Sequence, residues 1–264
     1  MAIGIIIIGD EILSGKREDK HLSKFIEILA DRGLQLDWAE YVGDSRDRII
    51  ATLKRSFASG DIVFSTGGIG ATPDDHTRQC AALALNLDIA LHPEAKRLIQ
   101  ERITDTAAEA GKTVDLNTPD NLHRLKMGEF PVGAELIPNP FNKIAGFAIK
   151  QHYFVPGFPV MAWPMMEWVL DTHYAHLFHQ QARAEKAVIV YDAIESVLTP
   201  LMEQLEAEFP LIKVFSLPSV ATETQRRHIE LGVKGDPQQV ESAFEKMCAG
   251  LDQLQSEYVS VAQK

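Results

Sequence analysis

Asp61–Thr77 reads DIVFSTGGIGATPDDHT, and this stretch decides the fold. Asp61–Thr66 is a short, mostly apolar run of the kind that makes a buried strand. It stops at Gly67-Gly68, continues through Ile69-Gly70 and reaches Asp74-Asp75 just before a helical pattern. Three glycines in four residues let the backbone turn sharply and lie close to a ligand, because no Cβ intervenes. Amides in such a turn, followed by a helix N-terminus, make a seat for a phosphate. The paired carboxylates would repel a bare phosphate. They fit a divalent cation bridging carboxylate and phosphate, or a carboxylate acting on a nearby hydroxyl. The competing reading is a plain strand–turn–helix junction with Asp as N-cap.

Outward from this stretch, strand and helix alternate. Ala2–Ile8 is a continuous apolar run without alternation, which predicts a strand covered on both faces. Lys20–Ala30 carries Leu22, Phe25, Ile26 and Leu29 at helical spacing, and Gly33 follows as a stop. Leu34–Val42 predicts a second strand. Ser45 is placed to cap a helix over Arg46–Ala58, with Ile49, Ile50, Leu53 and Phe57 on one side. Asp61–Thr66 is the third strand, and helices are expected over Thr77–Leu87 and Pro93–Ala110. The alternation means βαβ units and a parallel sheet with right-handed crossovers.

Asp115–Pro140 is richer in Pro, Asn and Gly and reads as a long connection with short strands. Phe147–Pro156 reads as a strand pair ending in Pro156-Gly157-Phe158-Pro159, followed by a helix over Val160–Gln180. The remainder predicts strand Ala187–Tyr191, helix Ser196–Glu208, strands Lys213–Leu217 and Gln225–Val233, and helix Pro237–Leu254. That order is close to a small ferredoxin-like α+β unit. The expected organisation is therefore an α/β domain over 1–182 and a small α+β domain over 183–264. No internal repeat or low-complexity segment interrupts it.

The 264 residues carry 26 basic and 37 acidic side chains, a net charge of −11. This argues against a nucleic-acid surface, which needs a basic patch. The first apolar run is too short for a signal peptide or a membrane span, so a cytoplasmic protein with no membrane partner is expected. Cys80 and Cys248 form no motif and read as buried or half-buried free thiols. His173, His176 and His179 recur at spacing three, with His152 upstream. No Cys or carboxylate joins them, so histidines near a helix C-terminus explain them better than a metal site. Trp163, Met165, Met166 and Trp168 are expected in the core or at a subunit interface.

Several motifs, in order, carry a family resemblance. Gly9-Asp10-Glu11-Ile12-Leu13-Ser14-Gly15 follows the first strand, and Val42-Gly43-Asp44 precedes the second helix. Thr66-Gly67-Gly68-Ile69-Gly70 with Asp74, Asp75 and Thr77 comes next, then Asn139-Pro140 and Pro156-Gly157-Phe158-Pro159. The chain resembles the MoaB/Mog-like (molybdopterin-binding) domain family, and within it the N-terminal part of CinA-like competence/damage-inducible proteins. The resemblance covers the first two-thirds. The tail also looks like the small unit that follows this domain in the competence type, including Glu195-Ser196 after its first strand.

The resemblance implies a three-layer domain, self-association into a homo-oligomer, and a small-molecule nucleotide or pterin ligand, molybdopterin included. Mog-type members bind and adenylate molybdopterin. Competence-type members are similar to proteins that hydrolyse ADP-ribose with a divalent metal. Many carry a C-terminal amidase domain, which is not expected here since the chain ends at Lys264. Two further readings stay open: a binding module without catalysis, and, more distantly, an adenylyl transferase. Compact single-domain Mog-type proteins make the latter a poorer match for a two-domain chain.

In open α/β sheets ligands lie beyond the carboxyl ends of strands, where these loops converge. Gly67, Gly68 and Gly70, with Ser65 or Thr66 hydroxyls, are the expected phosphate-binding residues. Thr72, Thr77, Asp74, Asn139, Pro156 and Gly157 are candidate contacts. Asp10, Asp44 and Asp75, with Asp74 beside them, are candidate ligands for magnesium or a similar ion, which prefers oxygen donors. Asp75 is the expected catalytic carboxylate, and Glu11 or Asp10 the candidate base.

The chain departs from the family pattern at four places. Ala71-Thr72 stands where Pro-Thr is usual, and His21 where an Asn is usual. Asn142-Lys143-Ile144-Ala145-Gly146 replaces Gly-Thr-Ala-Pro-Gly. Met161-Ala162 replaces a Glu-Met pair. A side chain at Asn142 is expected to narrow the approach of backbone to ligand. These changes bear on turnover more than on fold.

Overall fold

A computed structural model describes residues 2–180, 184–222 and 225–261. The chain divides into two units, Met1–Phe178 and His179–Lys264. The boundary expected near residue 182 falls outside the described residues.

The first unit runs β1 (Ile3–Ile8), α1 (Asp10–Leu13), α2 (His21–Ala30), β2 (Trp38–Val42), α3 (Arg46–Ser59), β3 (Ile62–Thr66) and α4 (Thr77–Leu85). It continues with β4 (Ile89–Leu91), α5 (Pro93–Glu109), α6 (Pro119–Arg124), β5 (Glu129–Pro131), β6 (Glu135–Ile137), β7 (Gly146–Ile149), β8 (His152–Val155) and α7 (Pro159–His173). Six strands form one sheet in the order β2-β1-β3-β8-β7-β6. β2, β1, β3 and β8 are parallel, and β7 and β6 close one side antiparallel. The mostly parallel sheet is as expected.

All six residues of β1 are buried because both faces of the sheet are covered. Ile3, Ile5 and Ile7 pack with Phe25, Ile28 and Leu29 of α2 and Met165, Met166 and Val169 of α7. Ile6 and Ile8 pack on the other face with Ile49 and Leu53 of α3 and Cys80 and Ala81 of α4. The chain thus crosses from β1 to β2 by α2 on one face, and returns to β3 by α3 on the other. That reversal puts a crevice between the carboxyl ends of β1 and β3.

The second unit runs β9 (Ala184–Tyr191), α8 (Glu195–Glu208), β10 (Ile212–Ser219), β11 (His228–Gly235), α9 (Pro237–Gln253) and β12 (Tyr258–Ser260). Its antiparallel sheet has the order β10-β11-β9-β12. Both helices pack on one face, through Leu198, Leu205, Val240, Ala243, Met247 and Leu251 against Val188, Val190, Leu231 and Val233. The small α+β unit is as expected, with β12 as an additional strand.

Several local expectations are corrected. The second strand covers only Trp38–Val42, because Gly33 (φ 68°) wraps the helix end and Leu34 N–H bonds Leu29 O at 2.9 Å. Ser45 holds the N-cap backbone position of α3, but its hydroxyl makes no capping bond. The connection after α5 contains a helix, α6, started by Thr118-Pro119, with Asn121 N–H donating to Thr118 Oγ1. α7 ends at His173. His176 lies in a 3₁₀ turn, and His179 has φ 51°, so the three histidines do not share one helix face. His173 packs its ring against Tyr153 and Trp168. Met165 and Met166 are fully buried, Trp163 packs against that core and Trp168 is partly exposed. Cys80 is a buried free thiol, pushed up to about 11 by burial, and Cys248 is half-buried. Among the described residues no helix is long and apolar enough to cross a membrane.

Candidate functional site

The loops after β1, β2, β3 and β8 meet around a cleft of about 1020 Å³. Gly9 and Glu11 come from the first loop, Asp44 from the second, Gly67–Thr72 with Asp74 and Asp75 from the third and Pro156–Pro159 from the fourth. Asn139, Asn142, Ile144, Ala145 and Met161 complete an opposing, more apolar wall. Three of these loops follow the buried strands β1, β3 and β8, and the loop after β2 starts from buried Val42, so sheet positions the first residue of each.

The glycine loop is held from behind. Thr77, wholly buried, donates its hydroxyl to Gly67 O at 3.1 Å and its amide to Gly68 O at 2.9 Å. Arg78 Nη2 donates to Gly70 O at 2.5 Å. Gly67 N–H bonds Val155 O at 3.1 Å. Gly67 and Gly68 take φ of 93° and 67°, where a side chain is strained. With the carbonyls engaged at their backs, the amides of Gly68, Ile69, Gly70 and Ala71 have no intramolecular partner among the described residues. All four residues line the cleft.

Asp75 closes the end of the same loop. Its Oδ2 accepts from Thr72 N–H at 2.8 Å and from Thr72 Oγ1 at 2.6 Å, while its own amide donates to Thr72 O. Asp74 and Thr72 line the cleft beside it. Asp44 also lines the cleft, and its carboxyl is held above the usual carboxylate range, first by burial and then by the charges of Asp10, Glu11 and Asp74.

The structure brings most of the expected residues together and sets three apart. Glu11, Asp44, Thr66, Gly67, Gly68, Gly70, Thr72, Asp74, Asp75, Asn139, Pro156 and Gly157 all line the cleft. Asp10 does not; its Oδ1 accepts from the Asp44 main-chain amide at 3.1 Å. The expected three-carboxylate set of Asp10, Asp44 and Asp75 is therefore not assembled. Among the described residues no group of three His, Cys, Asp or Glu is arranged to hold a metal. Ser65 is buried in β3 and does not line the cleft, and its hydroxyl has no hydrogen-bond partner among the described residues. Thr77 supports the loop from behind instead of lining the cleft.

Asn142 lines the cleft and also holds its own loop. Its Oδ1 accepts from Asn139 Nδ2 at 2.8 Å and Ile144 N–H at 3.0 Å, so the side chain braces its own loop. Asn139 Oδ1 accepts from Phe141 N–H, which completes that brace. The left-handed residue of the loop is Lys143 (φ 64°), whose ammonium is anchored by Glu101 and Asp105.

Two buried residues near the cleft are not among the expected site residues, although His21 stands at a position where the family pattern differs. His21 lines the cleft, and its Nε2 lies 3.0 Å from Gly157 O. A carbonyl only accepts, so Nε2 carries the proton. Arg78 is the other, and the signal for it is an arginine in the first turn of a helix, where a cation is unfavourable. His123 Nε2 donates to Ala71 O from α6, and Arg17 and Lys20 add basic groups to the cleft wall.

A CinA-like protein of Anaeromyxobacter dehalogenans is 33% identical over 182 residues, covering 67% of this chain and 42% of that protein. The matched region is thus less than half the length of that relative. A protein of Caldivirga maquilingensis is 28% identical over 263 residues, covering 97% of this chain and 96% of its own length. The crystal structure of the protein CinA with unknown function from Thermoplasma acidophilum is similar at a TM-score of 0.55 and 24% identity. It covers 65% of this chain and 98% of that one, and the likeness is one of fold. The family model described as the probable molybdopterin binding domain matches residues 4–176, a span that contains every residue lining the cleft. Matched over more than half its length, this chain belongs to the probable molybdopterin binding domain family.

Proposed function

We propose that the cleft binds a phosphorylated nucleotide or pterin through the Gly67–Gly70 loop and, with a divalent cation, hydrolyses ADP-ribose or a related dinucleotide. The observation that carries binding is the run of unpartnered amides from Gly68 to Ala71 on the cleft wall. Convergent amides without internal partners suit the oxygens of a phosphate or pyrophosphate. The volume of about 1020 Å³ is at the upper end for small-molecule sites and suits a dinucleotide.

Asp44 and Asp75 fit a magnesium-like ion better than the wider set, since such an ion takes one or two carboxylates together with phosphate oxygens and water. Bound there, it would neutralise the pyrophosphate and polarise phosphorus toward water. Glu11 is the candidate base in preference to Asp10, because Glu11 lines the cleft. The apolar wall of Ile144, Phe158 and Met161 offers a surface for a base or pterin ring.

A second reading, binding without turnover, is favoured by one specific observation. Asp75 Oδ2 is already engaged by both the amide and the hydroxyl of Thr72, as a structural brace would be. The deciding experiment is AMP release from ADP-ribose by the purified chain, with and without magnesium, in wild type, Glu11→Gln and Asp75→Ala. Metal-dependent release lost in both variants supports hydrolysis. No release by wild type, with ADP-ribose still raising the melting temperature, supports the binding module.

A further inference from the structure

Behind the glycine loop stands a buried cation that makes no ion pair among the described residues. Arg78 is 2% exposed and is the second residue of α4. Beyond the bond from Nη2 to Gly70 O, its Nε and Nη1 are buried with no hydrogen-bond partner among the described residues. Asp75 and Glu129 act on it only through space, and burial outweighs them, lowering the pKa of the guanidinium from its ordinary value.

Three costs therefore fall on one side chain. A charge is taken out of water without an ion pair. Two N–H-bearing nitrogens are left unsatisfied. A cation sits at the positive end of a helix. Gly70, whose carbonyl Arg78 holds, lines the cleft with unpartnered amides on either side of it.

We infer that Arg78 is a positioning residue and the fixed counter-charge for an anionic ligand group, a phosphate or pyrophosphate, seated on the Gly68–Ala71 amides. This rests on the binding half of the proposed function and deepens it. Holding the Gly70 carbonyl back keeps its lone pairs away from the ligand oxygens. The guanidinium charge acts across one thickness of backbone in a medium that screens it little. The charge that is unfavourable in the empty protein is compensated when the anion arrives.

The test uses inorganic pyrophosphate, titrated calorimetrically into wild type, Arg78→Met and Arg78→Lys, with melting temperatures in anion-poor buffer. Arg78→Met keeps the aliphatic bulk and removes the charge. It is expected to weaken pyrophosphate binding by about tenfold or more, while melting at or above the wild-type temperature. Partial recovery of affinity in Arg78→Lys, with a steeper salt dependence than in Arg78→Met, supports the counter-charge. Equal affinity in wild type and Arg78→Met overturns the inference alone. An Arg78→Met protein that melts well below wild type makes Arg78 a structural residue and also overturns it. Absence of pyrophosphate binding by wild type overturns the proposed function and this inference together.

Discussion

Asp10 and Asp44 exchange hydrogen bonds: Asp10 N–H donates to Asp44 Oδ2 at 2.9 Å, and Asp44 N–H donates to Asp10 Oδ1 at 3.1 Å. The pair ties the loop after β1 to the loop after β2, and Gly43 leaves room for it, since a Cβ there would overlap Asp10 Oδ1. Asp10→Ala strands the Asp44 amide and is expected to cost about 1 kcal/mol, read by urea denaturation. Asp10→Asn retains an acceptor and is expected to match wild type in stability and in ADP-ribose affinity. Loss of magnesium-dependent activity in a stable Asp10→Asn protein would return Asp10 to the list of metal ligands.

Gly68 tests how tightly the loop is specified. Its φ of 67° and the overlap of an added Cβ with Thr77 Oγ1 act together. Gly68→Ala is expected to lose roughly 1–3 kcal/mol and to abolish binding of phosphorylated ligands. Gly15 is the control: its φ is 72°, but a Cβ there meets nothing within 4 Å. Gly15→Ala is expected to cost about 1 kcal/mol and to leave affinity unchanged. Equal loss of affinity in the two variants would sink the assignment of the ligand to this loop.

His152 makes the fold sensitive to acid. It is 2% exposed, and burial and the nearby Lys150 push its pKa down to about 3, against the opposing charge of Asp61. Ser56 Oγ donates to Leu53 O, so His152 Nε2 donates to Ser56 Oγ at 2.9 Å and the ring is neutral. Below pH ~6.5 the unfolded chain takes up a proton on this residue and the folded chain does not. Stability is therefore fully present above that value and falls with pH down to about 3, at a slope approaching 1.4 kcal/mol per unit. Urea midpoints from pH 7 to pH 4 read this slope. A His152→Gln protein is expected to lose this part of the slope, and an unchanged slope would contradict the assignment.

The core strands are legible because their periodicity is a direct consequence of burial. Ile5–Ile8 without alternation requires cover on both faces, and α2, α7, α3 and α4 supply it. The glycine loop is legible because its conformation excludes side chains. Thr118-Pro119 could have signalled α6, but the polar composition around it masked a helix with no buried residue. The end of α7 at His173 was not legible, since Ala175–Phe178 continues an apolar pattern through a 3₁₀ turn.

At the cleft, the sequence by itself determined which loops gather there: a run of glycines and carboxylates after apolar strands follows from local chemistry alone. Only the tertiary structure decided which side chains line the cleft. Asp10 and Asp44 lie 34 residues apart and engage each other because β1 and β2 are adjacent in the sheet. His21 reaches Gly157 across 136 residues. Arg78 reaches the Gly70 carbonyl because its helix packs behind the loop, and its Nε and Nη1 have no hydrogen-bond partner among the described residues. A hydrogen bond satisfies whichever group lies within about 3 Å, and that distance is set by strand order, which residue types in sequence do not encode one by one.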